Sequence, residues 1–148
     1  MIKIYSPTRD NVVTGNYVTA KRYAYHLQNL GHRVFTCNGF EEKVNPEELR
    51  CAFVLHAEKG FHKIKELVAK NVPVVLVLTG TDLYRDIIST KTSKKEHCLR
   101  SIQLASAIVV LHKNAVSDLL KVVSVPRDRI FVVLQSVIDF KKRSFFFF

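Results

Sequence analysis

The chain has 148 residues, 47% of them hydrophobic and 24% charged, which excludes a disordered chain and suits one domain with its own core. The formal net charge of +10 favours anionic partners such as phosphates, but the basic residues are scattered without interleaved aromatics, so we do not expect nucleic-acid binding. No apolar stretch approaches the roughly 18 to 20 residues of a membrane-spanning helix, and no secretory signal is recognisable, so we expect a cytoplasmic protein without a membrane span.

Cysteine and histidine spacing predicts neither a disulfide framework nor a metal site. Cys37, Cys51 and Cys98 are odd in number and far apart, so we expect reduced thiols. No two histidines have the spacing of a zinc site. We therefore predict no metal and no other cofactor.

Short apolar runs alternate with helical patterns along the chain. The apolar runs predict six strands, at residues 2–5, 33–37, 51–56, 74–78, 107–111 and 130–134. Apolar residues at helical spacing predict intervening helices, at residues 16–30, 61–68, 82–88, 93–104 and 116–123. This alternation predicts an α/β fold over residues 1–137, a single Rossmann-like doubly wound domain with a mainly parallel sheet of about six strands.

Residues 138–148 depart from this pattern. They combine a basic cluster at 141–143 with four consecutive phenylalanines at 145–148, and such a segment is an aggregation hazard when exposed. We interpret it as an irregular tail of a truncated chain.

A polar turn, Thr79-Gly80-Thr81-Asp82, follows the most apolar predicted strand. The carboxyl ends of parallel strands are where open α/β sheets bind ligands, so this turn is a candidate site for a hydroxylated or anionic group. Helix capping by Asp82 is the structural alternative. Arg85, one turn later, could bind a phosphate or pair with Asp82 or Asp86 on the surface.

The turn after the first strand ends in Gly15 and Asn16, where the first helix is predicted to begin. Free backbone amides and the helix dipole at such a position can bind a phosphate, and glycine permits close approach. Asn16 as a simple helix cap is the alternative.

His56 lies at the predicted carboxyl end of the third strand. Its imidazole could hydrogen-bond a sugar hydroxyl or an acceptor oxygen there, and the alternative is a buried histidine satisfied by a backbone carbonyl. Lys59 and His62, in the following helical segment, could meet a phosphate-bearing acceptor or simply form a solvated helix face.

Residues 79–84 (Thr-Gly-Thr-Asp-Leu-Tyr), taken with 14–20 (Thr-Gly-Asn-Tyr-Val-Thr-Ala), resemble the amino-terminal half of a GT-B glycosyltransferase of family 4. Supporting pieces occur in the family's order over residues 1–137, at 30–34, 55–57, 107–111 and 135–137. The resemblance is greatest to the selenosugar synthase branch, which joins a nucleotide-activated sugar to selenophosphate in selenoneine biosynthesis.

This resemblance implies a two-domain enzyme whose first domain mainly holds the acceptor and whose second holds most of the nucleotide sugar. Only the first domain has a counterpart here, so we expect the chain to be inactive alone and to need a second domain in trans. By this resemblance His56 and Asp82 are the catalytic candidates. The substrate-binding candidates are Gly15, Asn16, Thr79, Gly80, Thr81 and Arg85.

Two other interpretations of the sequence stay open. The first is a stand-alone module that binds a phosphorylated metabolite or a nucleotide. The second is a gene fragment without function.

Overall fold

A computed structural model describes residues 1–8, 12–43 and 45–135. The tail predicted at 138–148 therefore lies outside the described residues, as do the last two positions of the predicted domain. No helix in the described ranges is both long and apolar enough to cross a membrane.

Six strands and four α-helices alternate along the described chain. The strands are β1 (Ile2–Ser6), β2 (Val34–Asn38), β3 (Cys51–Leu55), β4 (Val74–Val77), β5 (Ala107–Val110) and β6 (Ile130–Val132). The helices are α1 (Gly15–Asn29), α2 (Phe61–Ala69), α3 (Thr92–Leu104) and α4 (Asn114–Val122). Short helical turns occur at Pro46–Glu48, Asp82–Asp86 and Arg127–Arg129.

The strands form one open, all-parallel sheet in the order β2-β1-β3-β4-β5-β6. The chain adds β2 on one side of β1 and all later strands on the other. The order therefore reverses between β1 and β3, and ligands of open α/β sheets bind at such a switch point. The predicted Rossmann-like doubly wound fold is confirmed.

In the described residues one face of the sheet is covered by α2, α3 and α4, and α1 covers part of the other face. One row across the sheet pairs Tyr5 with Val54, Leu76, Ile108 and Ile130 in turn, and all five side chains are buried. This row belongs to the larger core, which includes side chains from α2, α3 and α4. The opposite face packs against α1 in a smaller core. Burial of most side chains on both faces of β3, β4 and β5 explains why these central strands are continuous apolar runs.

Two local predictions differ from the structure at helix starts. The spacing of Ser93 and Glu96 suggests a capping box, but α3 begins one residue earlier, and Lys91 caps it without a side-chain hydrogen bond. The short helix expected after Thr81 is a π-helical turn of five residues. Its wide ring is closed by the Ile87 amide, which donates to the Asp82 carbonyl at 3.0 Å.

A buried lysine holds the β2–β3 connection to the body of the domain. The Lys63 ammonium donates to the Glu42 carbonyl at 2.8 Å and to the Glu66 carboxylate at 2.6 Å. It also lies over the Tyr5 ring, 5.3 Å from its centre. Lys3 pairs with the Glu42 side chain, so this connection is fixed beside the carboxyl ends of β1 and β3.

Gly60 allows α2 to begin close against β3. A Cβ atom there would lie 2.5 Å from Val54 Cγ1 and 2.9 Å from the His56 carbonyl oxygen. We predict that Gly60→Ala lowers the free energy of unfolding by about 1 to 3 kcal/mol, because backbone and core must shift. Gly15→Ala is the matched control, since a Cβ atom at that position would have no neighbour within 4 Å among the described residues. Equal urea midpoints for the two variants would contradict this prediction.

Candidate functional site

The turn after β1 is closed by hydroxyl groups at the switch point. The Ser6 hydroxyl donates to Thr8 Oγ1 at 3.2 Å, and Thr8 Oγ1 lies 3.2 Å from Thr14 Oγ1. Thr14 then caps α1 by accepting from the Tyr17 amide, also at 3.2 Å. The start of α1 is therefore fixed by side chains of the same turn.

Gly15 and Asn16 open α1 directly after this cap, as the sequence predicts. The cap is Thr14, so capping by Asn16 is wrong. Gly15 is exposed, and a Cβ atom added to it would have no neighbour within 4 Å among the described residues. Phosphate binding at these two residues stays a prediction.

A single carboxylate, Asp82, joins the turn after β4 to the turn after β3. Its Oδ1 accepts hydrogen bonds from the amides of Thr79, Gly80 and Leu83 at 3.0 to 3.1 Å. Its Oδ2 accepts from the Ala57 amide at 2.9 Å. Both oxygens are thus engaged by backbone donors in a buried position, which is a strong structural role.

Side chains of α3 contact both the turn after β3 and the turn after β4. The Ser101 hydroxyl donates to the Ala57 carbonyl at 2.7 Å, and the Cys98 thiol lies 3.9 Å from the Asp82 carbonyl. The backbone N–H and C=O of Ala57 are therefore both hydrogen-bonded to buried side chains, Asp82 and Ser101. The end of β3 is consequently a rigid part of the site.

His56 is held at the end of β3 in a strained backbone conformation. Its φ is +76°, in the left-handed region that side chains with a Cβ seldom adopt. Its amide donates to the Val77 carbonyl at 3.1 Å, and its Nδ1 accepts from the Lys59 amide at 3.4 Å. Its Nε2 lies 3.6 Å from Asp86 Oδ2. The imidazole is therefore fixed from both sides while only 2% of the residue is exposed.

Burial controls the protonation of this histidine. Loss of water around the ring lowers the pKa of His56, and Lys59 lowers it further, whereas Asp82 and Asp86 raise it. The net direction is downward, so the ring is neutral at pH 7. Because Nδ1 accepts a hydrogen bond, the proton of the neutral ring is on Nε2, which faces Asp86.

Burial also shifts the pKa of the Asp82 carboxyl group. It raises the pKa of Asp82, while His56 and the amide donors of Ala57 and Thr79 lower it. His56 and Asp82 thus influence each other electrostatically at the end of β3. Their predicted catalytic roles stay predictions.

The π-helical turn brings Asp86 back beneath His56. Asp86 is buried, and its Oδ1 lies 3.2 Å from Arg85 Nε and 3.9 Å from Lys94 Nζ. Arg85 therefore pairs with Asp86, one of the two alternatives that the sequence indicates, although its side chain is 69% exposed. Sequence analysis named Asp86 only as a possible partner of Arg85, because a π-helical turn leaves no signal in the pattern of apolar residues.

The predicted ligand turn at residues 79–82 is mainly engaged with its own carboxylate. The amides of Thr79 and Gly80 both donate to Asp82, so they are not free to bind an anion. Gly80 has a φ of +105°, which requires glycine. Thr81 is exposed before the π-helical turn, and substrate contact by these threonines stays a prediction.

A polar cleft of about 370 Å³ lies at the carboxyl ends of β1, β2 and β3. Its walls come from the turns after these strands and from α2 and α3. They consist of Pro7, Thr8, Gly39, Phe40, Glu41, Glu58, Lys59, His62 and His97. Lys59 and His62 both line the cleft, a position that binding of a phosphate-bearing acceptor requires. His97 was missed, and its stacking on Phe61 at 4.4 Å explains its position.

A larger depression, of about 470 Å³, lies on the opposite side of the sheet beside α1. Its lining is almost entirely apolar and includes Phe53, Val75 and Phe131. The polar turns and the buried carboxylates do not line it. We therefore place the candidate site at the smaller polar cleft.

Comparison with models of protein families and with curated proteins gives no match for this chain. Its function therefore has to be inferred from the geometry of the site.

We predict that Asp82→Asn lowers the free energy of unfolding by about 2 to 3 kcal/mol, because the side-chain amide places a donor against a donor. The variant keeps one oxygen for Thr79, Gly80 and Leu83, but its NH₂ group then faces the Ala57 amide. Urea unfolding measures the difference. Asp128→Asn, in an exposed turn, is the matched control. A loss no larger than that of the control would contradict the structural role of Asp82.

The three free thiols differ in reactivity because they differ in burial. Burial raises the pKa of both Cys37 and Cys98 to about 12. It also raises the pKa of Cys51, but that residue is only partly buried, and Arg50 and the amino terminus lower its pKa. The reactive species is the thiolate, so we predict that iodoacetamide at pH 8 labels Cys51 first in the folded protein. In urea all three should react at similar rates. Peptide mass spectrometry measures this order, and early labelling of Cys98 would contradict it.

Proposed function

We propose that this chain is the acceptor-side Rossmann-like domain of a retaining GT-B glycosyltransferase that uses a nucleotide sugar, such as a UDP-sugar. The observation that carries the proposal is the position of His56. It ends β3 at the switch point, beside the 79–82 turn and next to a cleft with polar walls. These are the positions that the resemblance assigns to the acceptor side.

In this proposal the acceptor binds in the cleft lined by Glu58 and Lys59, and the buried side chains of His56 and Asp82 hold the turn that positions these two residues. The ring accepts a hydrogen bond from the Lys59 amide, which favours one orientation of the imidazole. The Asp82 carboxylate acts through the backbone of Ala57, the residue after His56. Preorganisation of this kind is what catalysis by positioning requires.

The cleft suits an acceptor that carries a phosphate group. Lys59 and His62 line it beside the hydroxyl of Thr8, and together they offer cationic and neutral donors. Selenophosphate, the acceptor of the resembled branch, belongs to this chemical class. Gly15 and Asn16, at the start of α1, are proposed to approach the pyrophosphate of the donor.

A glycosyl transfer also needs a wall that holds the donor. In the resembled superfamily a second Rossmann-like domain supplies it, and the two domains enclose the reacting groups. We therefore propose that the described domain is inactive alone and gains activity when such a domain is present in trans.

The direct test is UDP release from UDP-sugars with selenophosphate or phosphate as acceptor. The chain is incubated alone and together with a supplied second domain. We expect release only in the second case, and at least about tenfold less with His56→Asn. Asparagine tolerates the left-handed backbone, so this variant keeps the turn.

His32→Asn, at an exposed position, is the control and should release UDP at the rate of the unmodified chain. Failure to release UDP in either condition would overturn the transferase proposal.

The second candidate is a stand-alone module for a phosphorylated metabolite or a nucleotide, and it is favoured because the polar cleft is formed entirely within this chain. Calorimetric titration with nucleotides and sugar phosphates should then give heat without any second domain. Lys59→Gln should weaken that binding, whereas Lys65→Gln, exposed on α2, should not. Equal affinities for these two variants would reject the cleft as the binding site.

A further inference from the structure

Three side chains with metal-binding atoms meet at the end of β3. His56 and Glu58 follow the strand, and Asp86 comes from the π-helical turn after β4. One donor atom from each residue lies within 4.8 Å of the donor atoms of the other two. The three positions span 31 residues of sequence, so the spacing rules for metal sites could not reveal them.

Asp86 gives a second, independent indication of a ligand. Its Oδ2 is buried and has no hydrogen-bond partner within the described parts of the chain. A buried carboxylate oxygen without a partner is costly, since it has lost its hydration without a replacement. This oxygen points into the cluster, where it lies 3.6 Å from His56 Nε2.

The distances suit an ion between these groups. Donor atoms about 2.1 Å from one metal ion lie roughly 3 to 3.5 Å from each other. The 3.6 Å between His56 Nε2 and Asp86 Oδ2 is close to this range. Glu58 is only partly buried, so its longer side chain can close the remaining gap by a change of rotamer.

We propose that His56, Glu58 and Asp86 bind a divalent transition metal ion, of which Mn²⁺ and Zn²⁺ are the representatives. One imidazole nitrogen and two carboxylate oxygens form a mixed ligand set that suits these ions better than the oxygen-preferring Mg²⁺. This proposal departs from the prediction of no metal, which rested on sequence spacing alone.

The surrounding contacts hold the ligands in place for such an ion. Binding of an ion at His56 Nε2 releases the proton of that nitrogen, and the ring then stays neutral by carrying a proton on Nδ1 in place of the hydrogen bond from the Lys59 amide. Arg85 and Lys94 engage Asp86 Oδ1, which leaves Oδ2 for the metal. Outer contacts of this kind orient ligands at protein metal sites.

Glu58 also lines the polar cleft, so the bound ion would lie at its wall. A divalent ion there adds positive charge beside Lys59 and can take an anionic oxygen of a ligand as a further coordinating atom. The inference requires only these three residues, and it does not depend on the proposed transferase role.

Metal binding is tested on the whole chain after treatment with a chelator. Titration with MnCl₂ is followed by the electron paramagnetic resonance signal of free Mn²⁺, and titration with ZnCl₂ by calorimetry. We expect one ion per chain in at least one of the two titrations. Glu58→Gln and His56→Asn should each weaken this binding at least about tenfold.

Two exposed positions provide matched controls, Glu96→Gln and His32→Asn, and both should bind as the unmodified chain does. Glu58 is partly exposed, so its substitution is compatible with folding, which circular dichroism checks.

Absence of binding with both ions would overturn the proposal. So would affinity unchanged by Glu58→Gln, because the ion would then be bound elsewhere, for example by the neighbouring rings of His62 and His97.

Discussion

The four hydrogen bonds to the Asp82 carboxylate are the interaction on which the candidate site depends. Three of them close the turn after β4, and the fourth, from the Ala57 amide, fixes that turn to the end of β3. Buried backbone amides need acceptors, and here one carboxylate serves four of them. The cost of burying its charge is offset because every oxygen faces donors. Beyond this link, the two turns are held by contacts of Ser101 and Cys98 on α3.

The rest of the site follows from this constraint and from the order of the sheet. The switch point between β1 and β3 creates the crevice, and the fixed turn after β3 holds His56 there in a left-handed conformation. The π-helical turn that starts at Asp82 then returns Asp86 to the histidine. Strain at His56 is unfavourable for stability, and so is the burial of Asp86 Oδ2, which lies 3.6 Å from His56 Nε2 without a closer donor among the described residues. Their coincidence at one place is typical of a functional site.

The fold could be predicted from the sequence because its signals are local and periodic. Continuous apolar runs such as 74–78 identify strands buried on both faces, and their alternation with helical patterns leaves a doubly wound sheet as the natural solution. The site was predictable only in part. His56 and Asp82 were found from their positions at strand ends, but the contacts of Asp82 with the distant Ala57 amide were not. The π-helical turn, the orientation of Asp86 and the position of His97 on the cleft depend on tertiary packing, for which one sequence carries no pattern.

Hydrogen exchange at individual amides, measured by nuclear magnetic resonance, tests the role of Asp82 most directly. If its carboxylate joins the two turns, the amides of Ala57 and Gly80 are protected in the unmodified chain. In Asp82→Asn the Ala57 amide should lose that protection, while amides in the centre of β5 keep theirs. Free exchange of the Ala57 amide in the unmodified chain, or equal protection in both proteins, would contradict the account.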